Sequence, residues 1–165
     1  MTAWKLIGFI GCASVAAGSL LLSSVHPWGD PRAVASGGQI LEGSAAPEHV
    51  RNVIQQKCGD CHSNETQWPI YSRVAPVSWL VEHDVLAGRS AMNLSHWAAT
   101  KPEDRIAALA RIAAEVRTAE MPPRPYAMLH PANRLTAIDK QQIIAWTRDE
   151  RKHIRAENPA PKENP

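Results

Sequence analysis

The residues best suited to do chemistry are Cys58, Cys61 and His62, which stand in the segment Cys58-Gly59-Asp60-Cys61-His62. Two thiols separated by two residues, with a histidine directly after the second, form the CxxCH pattern of c-type haem attachment. On one tight turn the thiols can reach the two vinyl groups along one side of a porphyrin, and the imidazole is carried beneath the ring. The pattern therefore predicts one covalently attached haem c, with His62 as a ligand of its iron.

Two other chemistries use a CxxC pair. A structural zinc site normally takes four Cys or His ligands. No second CxxC and no HxxxH occurs in the sequence, and Cys12, the third cysteine, lies in an apolar segment near the N-terminus. A redox dithiol expects a βαβ context, and no β-strand pattern of useful length is visible. Both alternatives stay open, and haem attachment is favoured over them.

A second axial ligand is expected from a later loop, and Met121 is the best candidate. It stands before two prolines, in Glu120-Met121-Pro122-Pro123, between two predicted helices. The prolines restrict the backbone, which suits a loop that must hold a thioether against iron. Less favoured candidates are the side chains on the neighbouring segments, namely Met92, Met128, His83, His96 and His130.

The functions of such a haem depend on whether both axial positions of its iron are occupied by protein ligands. Met/His ligation leaves no iron position for a substrate, so we predict transfer of single electrons and not an enzyme. The alternative is a haem-based sensor, in which a small ligand displaces Met121. Peroxidase-like turnover would need an open iron and a polar acid or base beside it.

The remaining sequence predicts an all-α domain. Apolar residues recur at helical spacing over 47–57, 76–88, 102–119 and 136–155. Thr136, with Asp139 three residues on, resembles a capping box at the start of the last helix. No internal repeat is visible.

An N-terminal apolar run predicts a membrane address. Residues 6–25, LIGFIGCASVAAGSLLLSSV, carry no charge, and about 20 apolar residues suffice for a helix to cross a bilayer. Lys5 before the run favours an exported C-terminal domain. We therefore expect a single-pass anchor in a bacterial inner membrane, with the haem domain in the periplasm. A signal cleaved after Ala33-Val34-Ala35 and a lipoprotein using Cys12 are the alternatives, and both also export the domain.

The 165 residues fit one domain with extensions. We predict an anchor or signal at 1–25, a linker at 26–46, the haem-binding domain at 47–156 and a disordered tail at 157–165, from the Pro-, Gly- and Ser-rich composition of the connecting segments. The net charge of +2 argues against nucleic acid as a partner. Redox proteins in or at the membrane are the expected partners, and the oligomeric state stays open.

Longer blocks resemble a known family. CHSN-x-T-x-WP-x-YS, APVSWL and EMPP, followed by LHPANRLTAIDKQQIIAWT, resemble the bacterial haem-binding domain family of small c-type cytochromes. The likeness runs from about 47 to 155, and HPWGDPR after an apolar stretch also resembles the usual start of that family, where an uncleaved anchor is common. It implies covalent haem at Cys58 and Cys61, ligation by His62 and Met121, and a cytochrome c-like fold whose first and last helices pack together.

Overall fold

The computed structural model describes residues 3–34 and 37–159, and within these ranges it contains helices and no β-strand. The α-helices there are α1 (Ala3–Leu22), α2 (Glu48–Lys57), α3 (Gly59–His62), α4 (Val77–Ala91), α5 (Pro102–Thr118), α6 (Arg124–Leu129) and α7 (Ala137–Glu157). Short 3₁₀ turns occur at Pro31–Ala33, Ile70–Arg73, Leu94–Ala99 and Pro131–Asn133. The predicted all-α class is confirmed.

The four helices expected from periodicity are present as α2, α4, α5 and α7. The predicted capping box also forms, because the Asp139 amide donates to the Thr136 hydroxyl at 3.1 Å and the Thr136 amide donates to the Asp139 carboxylate at 2.8 Å. Two short helices, α3 and α6, were not predicted, since each has too few residues to show a period.

The core lies between α2, α5 and α7. Helices α5 and α7 form the most extensive pair, and α2 also contacts α7, so the predicted contact between the first and last domain helices is confirmed. Lys57 at the end of α2 reaches across to the Asp139 carboxylate at 2.7 Å. The largest fully buried apolar side chains of the core are Leu41, Leu94, Trp97, Leu109, Ile143 and Ile154.

The segment predicted as a linker, 26–46, packs against the domain in its described part. Ile40 and Leu41 are buried in the core, where they remove apolar surface from water. The Arg32 guanidinium donates to the buried carboxylate of Glu82 on α4 and lies 4.3 Å from the ring centre of Trp68. Composition alone suggested a spacer, because two apolar residues among many prolines and glycines show no period.

The predicted membrane-spanning helix is not supported. Helix α1 forms over Ala3–Leu22, but within 3–34 and 37–159 no helix is both long and apolar enough to cross a bilayer. Its larger apolar side chains alternate with Gly, Ala and Ser, which lowers the hydropathy of the segment. The chain after α1 joins the domain, since Ser23 accepts from the Ala75 amide at 2.9 Å and Trp79 donates to the Val25 carbonyl at 2.7 Å.

Two predictions fall partly beyond the described residues. The hypothetical cleavage site at 33–35 includes Ala35, and the predicted tail includes 160–165. Glu157, the first residue assigned to that tail, is the last residue of α7.

Candidate functional site

The CxxCH segment forms one tight turn at the junction of α2 and α3. The Cys58 amide donates to the Ile54 carbonyl at 2.9 Å and so ends α2, while the Cys58 carbonyl accepts from the His62 amide at 3.0 Å and so begins α3. Both motif cysteines are free thiols. The structure therefore brings Cys58, Cys61 and His62 together on four consecutive peptide units, as the spacing predicted.

The imidazole of His62 is oriented by the end of α4. Its Nδ1 lies 3.1 Å from the backbone carbonyl oxygen of Met92. Because a carbonyl only accepts, Nδ1 carries the proton, and the lone pair is on Nε2. A hydrogen bond from the outer ring nitrogen is the usual support of a metal-binding histidine, since it holds the ring and raises its basicity. His62 is thus prepared to bind a metal through Nε2.

The two motif thiols are held in their protonated form by burial. Burial raises the pKa of Cys58 to about 12, assisted by Cys61, and burial raises the pKa of Cys61 to about 11, assisted by Asp60 and Asp84. Zinc binding and disulfide exchange both use the thiolate. In the described part of the chain, no three His, Cys, Asp or Glu side chains gather as a metal-binding group. The zinc and dithiol hypotheses therefore gain no support here.

Asp60, between the two cysteines, connects the motif to the segment that follows Met121. Its carboxylate accepts from the Tyr126 hydroxyl at 2.6 Å and from the Gln67 amide at 3.0 Å. Tyr126 is on α6, and its oxygen also accepts from the Asn133 amide group at 2.6 Å. Burial, with the bond to Asp60, raises the pKa of Tyr126 above its ordinary value, so the phenol stays a donor. Sequence reasoning did not single out these residues, since nothing local pairs Asp60 with a tyrosine far along the chain.

The polar residues after His62 form a hydrogen-bonded brace. Ser63 donates to the Gly59 carbonyl at 2.7 Å, and the Asn64 amide donates to the Ser95 hydroxyl at 3.0 Å. Arg89 on α4 donates to the Ser63 carbonyl at 2.8 Å and to the Thr66 hydroxyl at 3.1 Å. These contacts give a physical reason for the polar block that follows the CxxCH motif: it holds α3 against α4.

Met121 lies on a separate loop, between α5 and α6. Ala119, in the left-handed region with φ of 59°, ends α5, and the Glu120 amide donates to the Glu115 carbonyl at 3.1 Å. The Met121 amide is 3.5 Å from the same carbonyl, and the side chain is 37% exposed. The thioether is accordingly on the surface of the loop, and α6 links this loop to α3 through Tyr126.

The other candidate ligands lie in different surroundings. His130 lies with its Nε2 against the Tyr71 hydroxyl and stacks on Tyr126 with ring centres 4.4 Å apart. Met92 packs against the core, and the Nε2 of His96 is 3.4 Å from the Asn64 amide group. His83 lies exposed beside Asp84, and Met128 is exposed on α6.

Comparison with known proteins identifies the family. The family model described as a haem-binding domain matches residues 18–149. The chain belongs to the haem-binding domain family. The match begins before residue 47, in agreement with the packing of the 26–46 segment on this haem-binding domain.

One curated relative of the haem-binding chain is the cytochrome c peroxidase Ccp of Escherichia coli (strain K12). The two are 26% identical over 124 residues, which cover 72% of this chain and 27% of the relative. The chain thus spans about a quarter of the length of that protein. No solved structure matches the chain at a significant level.

The residues present fit a haem. The turn at α3 offers two free thiols and an imidazole with its Nε2 lone pair available, and the loop after α5 offers a thioether. Segments packed or bonded against α3 and α4 carry large exposed apolar side chains, with Ile70 84%, Met128 72% and Leu129 69% exposed. A porphyrin is largely apolar, so burial of such side chains against it would be favourable.

Proposed function

We propose that this haem-binding domain carries one haem c and transfers single electrons. Cys58 and Cys61 would hold the porphyrin by adding their thiols to its two vinyl groups, and His62 Nε2 and Met121 Sδ would hold the iron. The observation that carries the proposal is the 3.1 Å contact between His62 Nδ1 and the Met92 carbonyl, which leaves Nε2 free to bind iron on the turn that carries two free thiols. Iron held between a histidine and a methionine supplies a one-electron couple of raised potential.

The chain's own residues fix the geometry that such a couple needs. The Met92 carbonyl keeps the His62 ring in one orientation, and the bond strengthens the imidazole as a donor. Arg89 and Ser95 hold the residues after His62 against α4 and the Leu94–Ala99 turn. A rigid ligand set suits electron transfer, because little rearrangement then accompanies the change in iron charge.

We propose the exported side of a membrane, in a bacterial periplasm, as the location. Covalent haem is attached to CxxCH motifs outside the cytoplasm, and the uncharged segment 6–25 behind Lys5 favours export. The partners would be redox proteins in or at that membrane, one giving and one taking an electron.

A haem stain after denaturing electrophoresis tests covalent attachment. The full chain is produced together with the haem-attachment machinery, beside a Cys58→Ala, Cys61→Ala double variant. Cys12→Ala is the matched control, because this cysteine lies outside the motif. Stain in the parent and in Cys12→Ala, with none in the double variant, is the expected result. Folded parent protein without stain would refute the haem c assignment.

Ligand sensing is the second candidate, favoured by the long contact of the Met121 amide, which lies 3.5 Å from the Glu115 carbonyl. In that function Met121 leaves the iron and a small ligand takes its place. Carbon monoxide titration of the reduced protein separates the two. Tight binding at low concentration supports sensing, whereas weak binding supports a closed electron-transfer site. The likeness to a peroxidase makes hydrogen peroxide the second ligand to titrate.

A further inference from the structure

A side-chain pair, Asp60 and Tyr126, joins the CxxCH turn to the segment that follows Met121. Tyr126 lies five residues after Met121, on α6, and its hydroxyl donates to the Asp60 carboxylate at 2.6 Å. A hydrogen bond from a phenol to an ionised carboxylate is charge-assisted and short, and stronger than a neutral one. This bond therefore links the segment after Met121 to the residue between the two cysteines.

Both members of the pair are held by further contacts. The second carboxylate oxygen of Asp60 accepts from the Gln67 amide at 3.0 Å, and the Asp60 carbonyl accepts from the Thr66 hydroxyl at 2.6 Å. The Tyr126 ring stacks on His130 with ring planes 23° apart, and its oxygen accepts from Asn133 at 2.6 Å. These contacts hold both side chains in one orientation, so the bond between them fixes α6 relative to the CxxCH turn.

Within the part of the chain that the structure describes, the loop makes few other hydrogen bonds near Met121. On its N-terminal side it is attached to α5 through the Glu120 amide, at 3.1 Å from the Glu115 carbonyl, while the Met121 amide is at 3.5 Å from the same atom. A thioether needs a fixed distance to a metal if it is to compete with small ligands. On its C-terminal side, the bond between Tyr126 and Asp60 connects the loop to the attachment turn.

We infer that Asp60 and Tyr126 are positioning residues that hold the Met121 loop in register with the CxxCH turn and so determine how firmly Met121 binds the iron. The inference rests on the proposed ligand set. Asp60 then does more than separate the two cysteines. The strength of the bond between Met121 and iron depends on Tyr126, which does not contact the metal.

Tyr126→Phe in the haem-loaded full chain is the direct test. It removes the hydroxyl and keeps the ring that stacks on His130. We expect about a tenfold rise in carbon monoxide affinity of the reduced protein, as loss of a hydrogen bond to a charged group implies. The sulfur-to-iron charge-transfer band of the oxidised protein should weaken and the reduction potential should fall. Asp60→Asn should change these readouts in the same direction and less.

Tyr71→Phe is the matched control. It removes the only other tyrosine hydroxyl in the chain, one that contacts His130 and leaves the bond between Asp60 and Tyr126 in place. Because the Tyr71 hydroxyl reaches Tyr126 only through the His130 ring, the carbon monoxide affinity and charge-transfer band of this variant should change much less than those of Tyr126→Phe. Thermal midpoints of all variants show whether any change comes from general loosening.

A Met121→Ala background separates the possible outcomes. If Tyr126 acts through Met121, adding Tyr126→Phe to Met121→Ala should change neither affinity nor potential. The inference would be overturned if Tyr126→Phe still changed affinity or potential in this background. It would also be overturned if Tyr126→Phe had no effect in the parent while Met121→Ala changed the spectrum and potential. Either result would leave the proposed ligand set intact. A Met121→Ala protein with the parent's spectrum and potential would overturn both.

Discussion

Gly88 on α4 lies directly against Cys61: a Cβ placed on Gly88 would be 2.5 Å from the Cys61 carbonyl oxygen and 3.0 Å from its Cβ. The neighbouring atoms are mostly backbone, so they cannot turn aside. This contact brings the end of α4, and with it the Met92 carbonyl, to the His62 ring. The absence of a side chain at Gly88 is therefore a condition for the geometry of the CxxCH turn.

Gly88→Ala should lower the free energy of unfolding by about 1–3 kcal/mol, as overpacking does in well-filled interiors. Alanine is favoured over glycine in a helix by about 1 kcal/mol. The measured loss of stability is therefore the steric cost of the Cβ minus this gain. Gly18→Ala in α1 is the control, because a Cβ there meets nothing within 4 Å. Urea denaturation measures both. A Gly88→Ala protein as stable as the parent would show that α3 and α4 are less closely packed.

Met121→Ala should abolish the sulfur-to-iron charge-transfer band and lower the reduction potential, because a weaker ligand or water replaces the thioether. Met128→Ala is the matched control, since Met128 is exposed on α6 and is expected to leave spectrum and potential unchanged. Redox titration and absorption spectroscopy provide the readouts. If the Met128 variant changed and the Met121 variant did not, the distal ligand would be reassigned to Met128.

Glu82→Ala should destabilise the fold by about 1.5–3 kcal/mol, because the charge-assisted hydrogen bonds from the partly exposed Arg32 and His26 side chains are lost. Glu82 is 1% exposed and accepts from Arg32 and from His26 Nδ1, the latter at 3.0 Å. Asp84→Ala, an exposed carboxylate on the same helix, should change stability by no more than about 0.5 kcal/mol. Thermal unfolding compares them. Equal effects would mean that the 26–46 segment does not pack on the domain as described.

The pair formed by Lys57 and Asp139 predicts sensitivity to acid. Burial acts to raise the pKa of Asp139, but hydrogen bonds from Lys57 and Thr136 outweigh it and hold the pKa below its ordinary value of 3.8. A carboxylate whose pKa is lowered by folding stabilises the native state above the ordinary pKa. That contribution is lost as the pH falls from 3.8 through the folded value.

Asp139→Asn should therefore lower the free energy of unfolding by about 1 kcal/mol at neutral pH, through loss of the ion pair and part of the cap. The difference from the parent should disappear at pH values below the folded pKa of Asp139. Asp149→Asn is the control, an exposed carboxylate on the same helix. Denaturation midpoints of the parent and Asp139→Asn are compared across acidic pH. A stability difference that stays constant with pH would contradict a lowered pKa for Asp139.

Local interactions made several features predictable from the sequence. The CxxCH turn, the capping box at Thr136 and the helices α2, α4, α5 and α7 depend on residues within a few positions of one another, so spacing and periodicity reveal them. The predicted location of Met121, on a loop between two helices, was likewise correct. Its role as a ligand stays a prediction.

Tertiary structure alone decided which distant groups meet. The Met92 carbonyl that orients His62, the tyrosine that binds Asp60, the arginine that reaches Glu82 and the glycine that admits Cys61 are each separated from their partners by 27 to 66 residues. Contacts at such separations follow no period along the chain, because they are set by how helices pack and not by the pitch of any one helix. The packing of the 26–46 segment follows no local pattern for the same reason: Ile40 and Leu41 are buried in a core that α2, α5 and α7 form. The sequence by itself therefore determined which side chains could bind a haem, and the packing of α3, α4 and α6 determined how they are held.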